Sequence, residues 1–393
     1  MEASQLDART KALREFEDLL SSFSRHQYRD VSPELQKAER IYLLAANSPL
    51  ARAYITDMTD RLRAMGRHVV LVDDTLAESP IVGCDLIGTR SFVEEAKSGA
   101  IAANLAMSAY GHEFFTVQAA RAGVAMVDAV PFFDALGLAM VYQTASLMRE
   151  ETLKRLDEYS ELAHALHDAW SVRTLAACLA MRIHLDRRLV LPILCSPEDE
   201  YFMAWPAGKD ATFALGDKEI LVDVGACYGD TVKKFLAATH WNYEAIHAFE
   251  PDGLNLESMT RNVFPMLDRF HLHQMALSDE NGTMTFAQTG TMGSHLDESG
   301  GVEVRVARLD DQVEHATFIK MDTEGHEMKV LQGAKRLIAQ SKPRMAITGY
   351  HYANDLLGIA RMVRDIVPEY RLRLRHHSFW YYDTILYADI PGS

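Results

Sequence analysis

The stretch Glu219–Leu236, EILVDVGACYGDTVKKFL, limits the possible folds more than any other part of the chain. Ile220 to Val224 is an apolar run interrupted only by Asp223, as expected of a strand buried on both faces. Gly225-Ala226-Cys227-Tyr228-Gly229 then supplies a turn, and Asp230 to Leu236 opens a helix. Strand, glycine turn and helix in that order read as an α/β unit in which a ligand passes close over a backbone lacking Cβ atoms. The glycines are spaced GxxxG, not the GxGxxG of nicotinamide-binding turns, and Asp223 suits a cationic amino acid moiety better than a pyrophosphate. A second strand, Ala245 to Phe249, ends in Glu250-Pro251-Asp252, where an acid can accept hydrogen bonds from both hydroxyls of a ribose.

Further strands are expected at His271 to Leu277, Phe318 to Met321 and Met345 to Gly349, with a helix from Glu327 to Ile338. Tyr370–Leu374 and Thr384–Ala388 read as a closing antiparallel hairpin. Upstream, short runs at Ile41–Leu44, Val69–Val72, Cys84–Ile87, Ala100–Leu105 and Ala125–Val127 alternate with helical segments, the pattern of a smaller parallel α/β unit. Its first turn is Ala45-Ala46-Asn47, without the glycines that admit a pyrophosphate, so it reads as a degenerate Rossmann-like domain serving as a scaffold or recognition surface. The division expected is an N-terminal α/β domain with a leading helix over 1–147, a helical connector over 148–199, and a main domain over 200–393.

The apolar fraction of 48% and the charged fraction of 24% belong to a globular chain. A net charge of −15 disfavours nucleic acid and anionic membrane surfaces as partners. The four cysteines show neither CxxC nor Cys/His metal spacing, so no disulfide framework and no metal are expected. The charged N-terminus lacks a secretory core, and Val124–Tyr142 is broken by Asp128, Pro131 and Asp134. A cytoplasmic protein without a membrane span is therefore expected. Leu13, Phe16, Leu20 and Phe23 form an apolar stripe that could cover the chain's own domain or a partner, leaving a homodimer open.

In order along the chain, VDVGACYGDT, AFEPD, MALSDENGTMTF, VRVARLDD and IKMDTEGHEMKVLQGAKRLI resemble the FkbM family of S-adenosylmethionine-dependent methyltransferases. LHDAWSVRTLAACLAMRI, GYHYANDLLGI, LRHHS and DTILYA resemble one subgroup of it, so the likeness spans roughly 160–390. The resemblance implies a class I methyltransferase fold with S-adenosylmethionine as cofactor. The Asp223–Gly229 turn, including Gly225, Ala226 and Gly229, would cradle its methionine part, and Glu250 its ribose. Asp279, after the third strand, is a candidate for the adenine amine or else a turn residue of SDENGT.

Asp322 and Glu324 follow a strand at its carboxyl end, where open α/β sheets bind ligands, which favours a functional role over the alternative of capping the next helix. His351 follows the next strand and is the candidate general base, with a hydrogen-bonded loop histidine as the alternative. Asp355 could orient it or cap a helix. Arg375, His376 and His377 are candidates for substrate binding, against an edge-strand ion pair. Tyr201, Phe202 and Trp205 could cover the adenine or a sugar, or pack in the core. The resemblance implies O-methylation of a small-molecule or glycan hydroxyl, of a sugar or secondary metabolite. A non-catalytic Rossmann-like binding or scaffold protein and a nucleotide-dependent oxidoreductase are the alternatives.

Overall fold

The computed structural model describes residues 3–23, 28, 30–202, 215–216, 218–262, 269–287, 295–296 and 301–390. The upstream apolar runs become β1 (Arg40–Leu44), β2 (His68–Val72), β3 (Asp85–Ile87), β4 (Ile101–Asn104) and β5 (Ala125–Asp128). They pair in parallel in the order β3-β2-β1-β4-β5. The order reverses between β1 and β4, where such a sheet offers a ligand crevice. Here the chain's own groups occupy those strand ends. Asp73, just past β2, accepts hydrogen bonds from Asn47 N at 2.9 Å and Thr75 N at 2.8 Å. Ser48 Oγ donates to Leu105 O at 2.7 Å. The buried Arg187 guanidinium reaches Asp128 at 2.7 Å and donates to the carbonyls of Asn104 and Ala106.

The second half is built on β6 (Ile220–Val224), β7 (Ala245–Phe249), β8 (Phe270–His273), β9 (Ala276–Leu277), β10 (Gly282–Ala287), β11 (His295–Leu296), β12 (Val302–Ala307), β13 (Phe318–Met321), β14 (Arg344–Thr348), β15 (Arg371–His376) and β16 (Thr384–Asp389). Seven of these make one sheet, β15-β16-β14-β13-β6-β7-β8, parallel except for β16, which runs against both its neighbours. This is the mostly parallel, hairpin-closed sheet of class I methyltransferases. A four-stranded sheet, β11-β10-β12-β9, flanks it.

Two expected elements are broken. The run His271–Leu277 splits because Met275 N turns back to His273 O at 2.9 Å, sending β8 and β9 into different sheets. The helix expected from Glu327 to Ile338 becomes two, Glu327–Gly333 and Lys335–Ser341. At the break Gly333 packs so tightly on the Ser278 carbonyl that a Cβ would lie 2.0 Å from its oxygen.

The helix Ala3–Phe23 packs on the helices Leu156–Ala165 and Ala169–His184, not on the first sheet. Phe16, Leu20 and Phe23 enter the same core as Leu162, Leu175, Ile319 and Leu372, so the apolar stripe is covered within the chain. In the other direction, Phe379, Trp380 and Tyr381, between β15 and β16, are buried among residues of the first half such as Leu43, Phe132 and Phe133. The Arg187 guanidinium lies over the Phe379 and Trp380 rings, 4.8 and 5.4 Å from their centroids. Among the described residues no helix is long and apolar enough to cross a membrane.

Burial opposes ionisation of Asp128, but Arg187 and His112 outweigh it and lower its pKa to about 2. Its contribution to stability is therefore complete above its unfolded pKa of about 3.9 and is lost as pH falls through about 2. Replacing Arg187 by Met strands a buried carboxylate; urea unfolding at neutral pH should show a loss of ~3–5 kcal/mol.

Candidate active site

A cleft lies over the carboxyl ends of β6, β7 and β13, at the point where the order of the seven-stranded sheet reverses. Its floor is the turn after β6. Gly225 adopts φ +75°, and a Cβ there would sit 1.8 Å from Asp322 O, so the glycine is required by the neighbouring strand end. Gly229, at φ +83°, caps the helix Asp230–Ala238. Ala226 is buried in the core and donates its N–H to Phe249 O at 3.1 Å.

Glu250 occupies the end of β7. One carboxylate oxygen accepts from Cys227 N and the other from Asp252 N, both at 2.8 Å, which fixes the group at the rim of the glycine turn. Burial raises its pKa to about 7 against the pull of those two N–H groups. Phe249, Met275, Leu277 and Phe286 make an apolar wall beside it. Asp279 is exposed and outside the cleft, accepting from Ser278 Oγ in the bend before β10; its turn reading is the one the structure displays.

Asp223 does not line the cleft. It is fully buried behind Lys320, its register partner on β13, whose Nζ stands 3.2 Å away and donates to Gly225 O at 2.7 Å. Burial works against the Lys320 charge, yet Asp223, then Asp322 and Asp230, hold its pKa above the ordinary lysine value. Lys320 does line the cleft. Sequence reasoning passed over it, although a lysine inside the apolar strand FIKM was a visible break in pattern.

Around the opposite wall stand Asp322, Glu324, Tyr201, Glu200 and Asp383. Tyr201 donates to Asp322 Oδ2 at 3.0 Å, and Thr348 to Asp322 Oδ1 at 3.2 Å. Phe202 packs in the core against Phe235 and Phe318. Trp205 lies outside the described residues. Glu324 takes up φ +56°, an uncommon conformation for a residue with a Cβ, and accepts a hydrogen bond from Tyr142 of the first half at 2.7 Å. Burial, then Asp322, raises the Glu324 pKa to about 7.

His351 is fully buried directly behind this pair. Its Nε2 faces both Asp322 Oδ1 and Glu324 Oε2 at 3.5 Å, and its Nδ1 faces Glu327 Oε1 at 3.4 Å. Burial disfavours its charge, but Glu327, Asp322 and Glu324 prevail and raise its pKa to about 9. A group so held is an imidazolium near neutrality, not a free base. Glu327 was read only as the start of a helix; it is buried, accepts from Thr323 N at 2.8 Å, and is lowered to about 2 with His351 its first stabilising neighbour. Asp355 accepts from Tyr352 N at 2.6 Å, the capping alternative.

The expected substrate residues are placed elsewhere. Arg375 pairs with Asp168 at 3.1 Å and donates to Ser171 Oγ at 2.8 Å. His376 bonds Thr384 Oγ1 at 2.9 Å; His377 bonds Ser196 O and the Tyr387 hydroxyl. All three are buried outside the cleft, because β15 is covered by the helix Ala169–His184. Burial lowers His376 to about 3 and His377 to about 4, so both are neutral structural groups. The expected substrate contacts are thus corrected to structural ones.

The family model described as methyltransferase FkbM domain matches residues 223–379, the span from Asp223 through the cleft to Phe379. Over that span the chain is similar to the methyltransferase FkbM domain. A 2-O-methyltransferase NoeI of Sinorhizobium fredii (strain NBRC 101917 / NGR234) is 27% identical over 183 residues, covering 39% of this chain and 72% of that protein. The crystal structure of a methyltransferase FkbM from Methylobacillus flagellatus KT superposes with a TM-score of 0.76 at 23% identity, covering 97% of this chain and 100% of that one. That likeness shows the fold, both halves included. The chain is accordingly a methyltransferase, and the residues similar to the FkbM domain are those built around the cleft described.

The Lys320–Asp223 pair can be tested apart from activity. Lys320→Met alone leaves a buried carboxylate and should lower stability by ~3–5 kcal/mol in chemical denaturation, whereas Lys320→Met with Asp223→Leu should recover most of the loss.

Proposed function

We propose that this methyltransferase uses S-adenosylmethionine and methylates a hydroxyl oxygen of a sugar, glycan or secondary metabolite. The observation that carries the donor assignment is the charge of the cleft. Glu200, Asp230, Glu250, Asp322, Glu324 and Asp383 line it, with Lys320 among them. Burial, followed by neighbouring carboxylates, raises Asp383 well above its ordinary value, and burial likewise raises Glu200. Carboxylates crowded in this way favour a ligand that brings positive charge.

The residues present fit such a donor. Glu250 has both oxygens anchored by backbone N–H groups and stands at the strand end where a ribose hydroxyl can donate to it. Phe249, Met275, Leu277 and Phe286 offer the adenine an apolar wall, Asp230 and its neighbours suit the ammonium, and Lys320 suits the carboxylate. When bound, the donor supplies a sulfonium methyl group. The chain's part is then mainly positioning, since in-line displacement needs the acceptor oxygen held against the methyl carbon.

Asp322 and Glu324 are the groups placed to hold that acceptor. A hydroxyl donating to Glu324 loses its proton to a carboxylate raised toward neutrality, a better match than the charged His351. His351 and Glu327 position the two acids from behind. The acceptor class is supported by the FkbM resemblance and by the O-methyltransferase name of the Sinorhizobium relative.

Calorimetric titration with S-adenosylmethionine tests the donor. Wild-type protein should bind saturably, and Glu250→Ala should weaken binding by ~100-fold, as loss of hydrogen bonds to a charged group worth ~3 kcal/mol requires. No binding by folded wild-type protein freed of carried-over donor overturns the reading. Ribose hydroxyls donate to the ionised acid, so affinity should rise with pH as Glu250 ionises through about 7, and the rise should be smaller in Glu250→Ala, where only the other raised cleft acids remain.

A further inference from the structure

Asp322, Glu324 and His351 each aim one ligand-type atom at a common point, all within 4.8 Å of one another. The two carboxylates line the cleft, and the imidazole closes the point from the protein side. His351 has no exposed surface, and its Nε2, on the side of the two cleft carboxylates, has no hydrogen-bond partner among the described residues. An imidazole so deep in the protein ordinarily satisfies both nitrogens.

The spacing is informative. A charge-assisted hydrogen bond from imidazolium to carboxylate would close to ~2.7–2.9 Å. Nε2 instead stands 3.5 Å from Asp322 Oδ1 and 3.5 Å from Glu324 Oε2. Two donors bound at ~2.1 Å around a tetrahedral ion are ~3.4 Å apart. The histidine is too far from either acid for a good hydrogen bond, and at the right distance to share an ion with both.

The surroundings are those of a metal ligand set. Glu327 faces the other ring nitrogen at 3.4 Å, the place of the carboxylate that orients a metal-bound histidine. Glu327 is itself fixed by Thr323 N and Thr323 Oγ1. Thr348 and Tyr201 bond the two Asp322 oxygens, and Tyr142 bonds Glu324, so both acids are oriented. Glu324 stands there on a left-handed backbone, and such conformations cost ~1–3 kcal/mol and persist where the surroundings enforce them.

We propose that Asp322, Glu324 and His351 form a binding site for one divalent cation of the zinc or manganese type. Three protein ligands with mixed oxygen and nitrogen donors leave an open position, as in catalytic zinc sites, and here it faces the cleft. The occupant of that position is an oxygen of the acceptor substrate. This assignment deepens the proposed function, on whose placement of the acceptor at Asp322 and Glu324 it rests. Bound there, the cation would polarise the acceptor oxygen, and the Glu324 oxygen not bound to the cation would remain to take its proton.

The test uses full-length protein stripped with a chelator and titrated with Co2+, followed by visible d–d absorption, and with Mn2+ by calorimetry. S-adenosylmethionine titration of each sample serves as the separate check on donor binding. The expected result is one equivalent of metal with a ligand-field band in donor-competent wild-type protein, weakened at least about tenfold in Glu324→Gln and in Asp322→Asn, each variant first shown to unfold as cooperatively as wild type. Metal that fails to bind the donor-competent wild-type protein, or binds equally in both variants, overturns the site and leaves the methyltransferase reading intact. Metal bound in the expected way by protein that does not bind the donor upholds the cation site and sinks the donor assignment instead.

Discussion

A buried lysine–aspartate pair at the switch point of the larger sheet holds the active half in register. Asp223 and Lys320 are direct partners on neighbouring strands, and neither has appreciable contact with water. Lys320 also donates to Gly225 O, so one ammonium ties the strand, the glycine turn and the strand that ends in Asp322. The turn cannot drift from Asp322, because Gly225 is already at van der Waals limits against its carbonyl. Isolated buried charges are costly, and the low dielectric that makes them so also makes their mutual attraction stiff. The cleft inherits that stiffness: Glu250 is pinned to the same turn, and Asp322 extends from the same strand.

A second charged contact organises the other half. Arg187 enters at the ends of β4 and β5, where Asp128 and two carbonyls receive it, and aromatic residues from the β15–β16 connection lie against its face. The first sheet keeps the doubly wound order of nucleotide-binding folds, but with its strand-end groups satisfied by the chain itself. The first half meets the cleft instead through Tyr142, whose hydroxyl bonds Glu324 and whose ring stacks on Tyr352.

Strands buried on both faces read as apolar runs, which is why nearly every strand of the two parallel sheets was legible within a residue or two. The glycine turn and Glu250 were legible for the same reason, since each sits at a fixed offset from such a run. What the sequence hid was pairing over long distances. Nothing near Arg375 announces Asp168, so its role as an ion-paired residue beneath a helix required the fold. His351 was correctly located at a strand end, but its charge state depends on Glu327, Asp322 and Glu324 converging from another strand and helix. In the flanking sheet β9 was absorbed into the run His271–Leu277, β11 has two residues, too few to make a pattern, and β12, VEVRVA, alternates clearly but was overlooked.

The tongue Phe379-Trp380-Tyr381 has a consequence for the evolution of this architecture. It leaves the catalytic sheet at its antiparallel edge and finishes inside the core of the other half. Neither half therefore possesses a closed surface of its own: a catalytic module cut out of this chain would carry a large aromatic wedge into water, and its partner would carry the matching hole. Such a chain can diversify its acceptor by changing loops around the cleft, but exchanging either half as a unit would require the wedge and its socket to be exchanged together.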